Sequence, residues 1–96
     1  MTTPPKLSDA EITAELTSTY GWSHIGGKLQ RTFKFADFVE AFGFMASAAL
    51  IAERMGHHPE WFNVYSTVRV DLDTHDAGGI TVLDFELARA MSKLAP

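Results

Sequence analysis

The sequence predicts an α+β fold, an antiparallel sheet with helices covering one face. Three observations predict it. Ser8-Asp9-Ala10-Glu11, Asp37-Phe38-Val39-Glu40 and Thr81-Val82-Leu83-Asp84 each place a capping side chain three residues before a carboxylate, ahead of apolar residues at helical spacing. Gly26-Gly27 separates two short apolar-bearing segments, as in a β-hairpin. Trp61 to Asp73 is strand-rich and alternates in polarity. Short hairpin connections favour antiparallel pairing, and the order is α-β-β-α-β-α with a last strand region that can divide in two.

In chain order, Met1 to Leu7 carries Pro4 and Pro5 and reads as a flexible tail, leaving 8–96 as a single domain. Ile12 and Leu16 support a helix from about Asp9 to Thr19, closed by Gly21. Strands follow over Trp22–Ile25 and Lys28–Phe35. In the second, Leu29, Arg31, Phe33 and Phe35 share one face, which puts Arg31 near an edge. The longest helix should run from Phe38 to Met55 and end at Gly56, a good left-handed cap. It is apolar nearly all round: Phe38, Phe42, Met45 and Ala49 form one stripe, and Phe44 and Ile51 lie on the other side. Such a helix is usually buried on both sides, so its second side is expected to meet another subunit. Val64, Val68, Val70 and Leu72 share a parity, and a bend near Tyr65-Ser66 would split the segment into two strands. After the Ala77-Gly78-Gly79 loop, Leu83, Leu87, Ala90, Met91 and Leu94 give the last helix its apolar stripe. The uncovered sheet face keeps polar residues for a site.

Composition narrows the function. The net charge of −4 leaves no basic stripe for phosphates, which disfavours nucleic acid and anionic membrane as partners. The absence of cysteine excludes disulfides, thiolate metal sites and cysteine nucleophiles. With no apolar leader and no apolar run of spanning length, a cytoplasmic location is expected.

The residues suited to chemistry are histidines. His57-His58 precedes Pro59, which holds His58 extended. Adjacent extended side chains diverge, so a shared site for both requires a bend. His75 follows the strand region, and Asp84 stands third in the last helix. Histidine exchanges protons near neutrality, so acid–base work fits these residues better than metal binding: adjacent imidazoles rarely reach one ion, and no HExxH pair is present. A polar loop after a helix is the plainer reading of His57-His58, and helix capping the plainer reading of Asp84. A capping carboxylate could also orient a histidine. Trp22 is more often core than ligand platform, Glu53 most simply a solvated residue, and Gly78-Gly79 most simply a loop.

The run Glu53-x-x-x-His57-His58-Pro59-Glu60-Trp61-Phe62-Asn63-Val64-Tyr65, followed by Thr74-His75 and Asp84, resembles the pterin-4a-carbinolamine dehydratases, and the likeness, with Gly21-Trp22, extends over nearly the whole chain. The resemblance implies a four-stranded antiparallel sheet with three helices on one side. It also implies dehydration of 4a-hydroxytetrahydropterin to quinonoid dihydropterin, in tetrahydropterin recycling, with no metal or organic cofactor. On it, His57, His58, His75 and Asp84 are the expected catalytic residues, with His58 and His75 nearest the proton transfers. Trp22, Glu53 and Pro59 would contact substrate, and the Phe38–Met55 helix would build a homodimer or homotetramer. Animal members also serve as dimerisation cofactors for a homeodomain transcription factor, so a non-catalytic binding module or assembly chaperone is the rival reading.

Overall fold

Ser8 begins the ordered elements by accepting the Glu11 amide while Glu11 reaches back to the Ser8 amide. The structure, a computed structural model, describes residues 3–95; the first two residues of the predicted tail and the last residue of the predicted domain lie outside that range. The elements are α1 (Asp9–Leu16), β1 (Ser23–Ile25), β2 (Lys28–Lys34), α2 (Phe38–Met55), β3 (Glu60–Val64), β4 (Thr67–Leu72) and α3 (Val82–Leu94), with a 3₁₀ turn at His75–Ala77. The four strands form one antiparallel sheet in the order β1-β2-β4-β3.

α1 is shorter than its apolar pattern suggested. The hydroxyls of Thr17, Ser18 and Thr19 donate back to the carbonyls of Ala14 and Glu15, and their amides bond three residues back, so the chain tightens and leaves the helix before Gly21. The tail is not wholly free of the fold. The Leu7 amide donates to the Ile80 carbonyl at 2.8 Å, and the Leu7 side chain packs on the core.

The core lies between the sheet and the α2–α3 layer. Leu29, Phe33, Val68, Val70 and Leu72 cover the inner sheet face, and α2 meets them with Ala41, Phe44, Ala48 and Ala52. The three alanines let the α2 backbone come close to the strands. Each fully buried leucine or valine contributes roughly 1.5–3 kcal/mol. Phe33 is the aromatic centre, 4.7 Å from Phe44 and edge-on to Trp22 at 5.9 Å between centroids. Arg31 shares this inner face in register with Val70; its strand is interior to the sheet, but β1 pairs only as far as Ser23↔Gln30, which leaves one side of Arg31 uncovered.

Two expectations on β3 need correction or refinement. The strand region divides at Tyr65-Ser66, with Tyr65 at φ 49°. The side-chain amide of Asn63 bridges this turn to the carbonyls of Tyr65 and Thr67. The reversal puts Val64 opposite Thr67 on the outer face, 57% exposed, away from Val68 and Val70. Trp61 and Asn63 take the inner positions instead. On α2, Phe38, Val39, Phe42 and Leu50 remain exposed in the single chain. No helix among the described residues is long and apolar enough to cross a membrane.

Candidate active site

The end of α2 aims the first histidine. Gly56 adopts φ 65°, a left-handed conformation that favours glycine, and the His57 amide then bonds back to the Ala52 carbonyl at 3.0 Å. The reversal turns the His57 side chain inward until only 8% of the residue is exposed. Its Nε2 lies 2.5 Å from Oδ1 of the fully buried Asp84. The other carboxylate oxygen of Asp84 accepts the Thr81 amide and the Thr74 hydroxyl, both at 2.9 Å. A hydroxyl has one proton, so Thr81 must donate to Thr74 across their 2.8 Å contact while accepting the Leu83 amide. A carboxylate can only accept, so in this contact His57 Nε2 is the donor and Asp84 Oδ1 the acceptor. Capping and imidazole orientation therefore coexist in Asp84: one oxygen closes the first turn of α3, the other holds the ring.

His58 points the other way, as an extended neighbour before proline should. Its Nε2 is 2.7 Å from Oε1 of Glu53, one and a half turns back on α2, and both side chains are largely exposed. His75 sits on the 3₁₀ turn beyond β4. Its exposed Nε2 is 3.1 Å from Oδ1 of Asp73 and 3.4 Å from Oε1 of Glu60. Lys28, across the sheet, grips both oxygens of Glu60 at 2.8 and 3.0 Å. That hydrogen bond is the main reason the Glu60 carboxyl is held below its ordinary range, with His75 assisting. Burial pushes the Asp73 carboxyl upward against the pull of His75 and Lys28.

These groups border one cleft of about 380 Å³, walled by the three histidines, Pro59, Glu60 and Asp73. A smaller adjoining hollow shares His57 and Thr74 and has Thr3 and Pro4 at its rim. The site thus occupies the loops at the end of the sheet, where α2 hands over to β3 and β4 to α3, rather than the open sheet face. Among the described residues, Glu60, Asp73 and His75 bring possible metal-ligating atoms within 4.8 Å of one another, but those atoms already engage each other and Lys28.

Trp22 does not join them, contrary to expectation. It is 6% exposed on the inner face, packed on Phe33, and its indole N–H donates to Ser92 Oγ at 2.9 Å. The position just before β1 directs it into the core. Sequence reasoning missed Asp73 and Thr74 as neighbours of the histidines. Asp73 had a detectable signal, since it shares the outward parity of Asp71 and lies two residues from His75; Thr74 stood beside His75 in the family-like run but was given no role.

Comparison with known proteins agrees with this architecture. The family described as Pterin 4 alpha carbinolamine dehydratase matches residues 5–94. A relative from Solibacter usitatus (strain Ellin6076), provisionally named pterin-4-alpha-carbinolamine dehydratase, is 58% identical over 94% of this chain and 95% of its own. One of the same name from Rhizobium johnstonii is 59% identical over 94% of this chain and 91% of its own. A solved structure of a transcriptional coactivator/pterin dehydratase from Brucella melitensis superposes with a TM-score of 0.91 at 47% identity, covering 95% of this chain and 99% of that one. A pterin dehydratase-like protein described as a RuBisCO assembly factor in the alpha-carboxysome shares the fold at 23% identity and TM-score 0.68, covering 79% of this chain and 90% of its own. The site and fold define a histidine-bearing α+β domain of the dehydratase type. The chain belongs to the pterin-4a-carbinolamine dehydratase family.

Proposed function

We propose that the protein is a hydro-lyase that dehydrates 4a-hydroxytetrahydropterin to quinonoid dihydropterin. The observation that carries this reading is that His57, His58 and His75 all border one cleft, with His57 held by a buried carboxylate. A cleft of this size falls within the range of small-molecule sites. In the reaction the C4a–O bond breaks, the hydroxyl leaves with an added proton as water, and N5 loses its proton as the N5–C4a double bond forms. One group must protonate the hydroxyl and another must accept the N5 proton. Imidazoles perform both near neutral pH.

The exposed His58 and His75 are the proton-transfer groups in this reading, each steadied by carboxylates: His58 by Glu53, His75 by Asp73 and Glu60. Asp84 positions His57 as a carboxylate positions the imidazole in a hydrolytic triad. Pro59 shapes the wall beside them, and no metal or organic cofactor takes part. The reaction serves tetrahydropterin recycling in the cytoplasm. The exposed Phe38, Val39, Phe42 and Leu50 of α2 support a homo-oligomer, dimer or tetramer, built through that helix. The same apolar face is the feature that favours the rival protein-binding role.

Stopped-flow decay of 4a-hydroxytetrahydropterin, with and without protein, tests the activity. Protein should accelerate the decay, and His58→Ala or His75→Ala should return it towards the uncatalysed rate. Identical decay with and without native protein would favour the binding module.

A further inference from the structure

We infer that a second cavity, at the opposite end of α3 from Asp84, binds the carboxylate of a small organic acid. This cavity, about 470 Å³, is larger than the histidine cleft and is bordered by Arg31, Arg89, Lys93, Ser92, Tyr20 and Gly21. Asp84 and Ser92 are eight residues apart on α3, so the two sites are separated by about 12 Å of helix axis. Three cations on one cavity stand out in a chain of net charge −4.

Arg31 is held in place. Its guanidinium lies over the Phe33 ring at 4.3 Å to the centroid, and one N–H donates to Ser92 Oγ at 2.9 Å. Gly21 closes the remaining side: at φ 87° it adopts a conformation that favours glycine, and a Cβ there would sit 3.0 Å from the guanidinium carbon. Among the described residues no carboxylate pairs with Arg31, and four of its five donor hydrogens have no side-chain acceptor. Ser92 sharpens the point. Its oxygen accepts from both Trp22 Nε1 and Arg31, so its own proton is left to donate, and no acceptor for it lies among the described residues. Fixed donors therefore converge where no side-chain acceptor among the described residues engages their remaining hydrogens.

Charge selects the ligand class. Glu15 pairs with Arg89 and offsets it. The C-terminal ends of α1 and α3 both lie here, each equivalent to about half a negative charge. Among the described residues, the balance left by Arg31 and Lys93 is close to a single positive charge, which suits a monoanion better than a phosphate dianion. The planar guanidinium fork also matches a carboxylate bidentately. Tyr20, 81% exposed, offers an aromatic surface for the body of the acid.

The test uses the full chain, labelled with nitrogen-15, and benzoate as probe at constant ionic strength, with benzamide as its uncharged counterpart. The two tryptophans give an internal control: the Trp22 indole N–H touches Ser92, whereas Trp61 lies on the far edge strand β3. Benzoate should shift the Trp22 indole resonance saturably, with Kd on the order of 1 mM, and leave Trp61 in place; benzamide should shift neither. Arg31→Gln should abolish saturation. Lys93→Glu, at an exposed position that cannot compromise the core, should weaken binding roughly tenfold. A linear response, an equal response to benzamide, tighter binding of inorganic phosphate, or native titration by Lys93→Glu would each overturn the assignment. Dehydration plays no part in this readout.

Discussion

His57 and His58 are chain neighbours in opposite surroundings. One imidazole is buried against a buried carboxylate; the other faces water and pairs with an exposed one. The difference teaches how the work of a small site divides. Removing one partner of a buried, hydrogen-bonded pair leaves the other stranded in a medium that solvates it poorly, whereas an exposed pair is screened and worth little to folding. The inner pair is therefore expected to matter to folding as well as to the proposed dehydration, and the outer pair to the proposed turnover alone.

The strongest way to break this contrast is Asp84→Ala. It strips His57, Thr74 and the Thr81 amide of their common acceptor, and urea denaturation should show a loss of about 3–5 kcal/mol. A loss below about 1 kcal/mol would mean that the inner pair does not hold the site together. Next comes His58→Ala, for which stopped-flow turnover should fall about 10²- to 10⁴-fold while the unfolding free energy changes by less than about 0.5 kcal/mol. A comparable stability loss at both histidines would erase the distinction between them.

Asp73→Asn sharpens the comparison from a third position. Burial raises the Asp73 carboxyl, so the folded state holds that proton more tightly than the unfolded chain. Its ionised form then opposes folding above the raised value, and the opposition disappears on acidification. Thermal melts at neutral pH should find the asparagine variant as stable as the native protein or more so, while turnover falls because His75 loses the negative charge beside it. Reduced stability at pH 7 would contradict this. The smallest effect belongs to Lys28→Ala. Glu60 is held below its ordinary 4.5 by Lys28, so the pair's contribution is present above that value and is lost as pH falls through the depressed one. The variant should melt slightly lower at neutral pH, converge with the native protein in acid, and differ less in high salt.

The helix starts were legible because a cap is a local event: Ser8 with Glu11, Asp37 with the Glu40 amide, and Thr81 with Asp84 all close over three residues. The Gly56 stop and the Gly26-Gly27 hairpin were legible for the same reason. Val64 was misplaced because Tyr65 carries the positive φ of a tight turn without being glycine, and its support comes from the Asn63 side chain. The histidines were visible as candidates, yet the contact that sorts them, His57 to Asp84, spans 27 residues. Trp22 was misread for a related reason: a tryptophan before a strand has two sides to choose from, and Phe33 and Ser92 decide which.

Because one carboxylate both closes the opening turn of α3 and steadies the buried imidazole, displacement of Asp84 loosens both together. Fraying at Thr81 is at once slack in the ring. Amide exchange at Thr81 and thermal inactivation should thus share one activation enthalpy, and the working temperature ceiling would be set by the breathing of a single helical turn rather than by global melting.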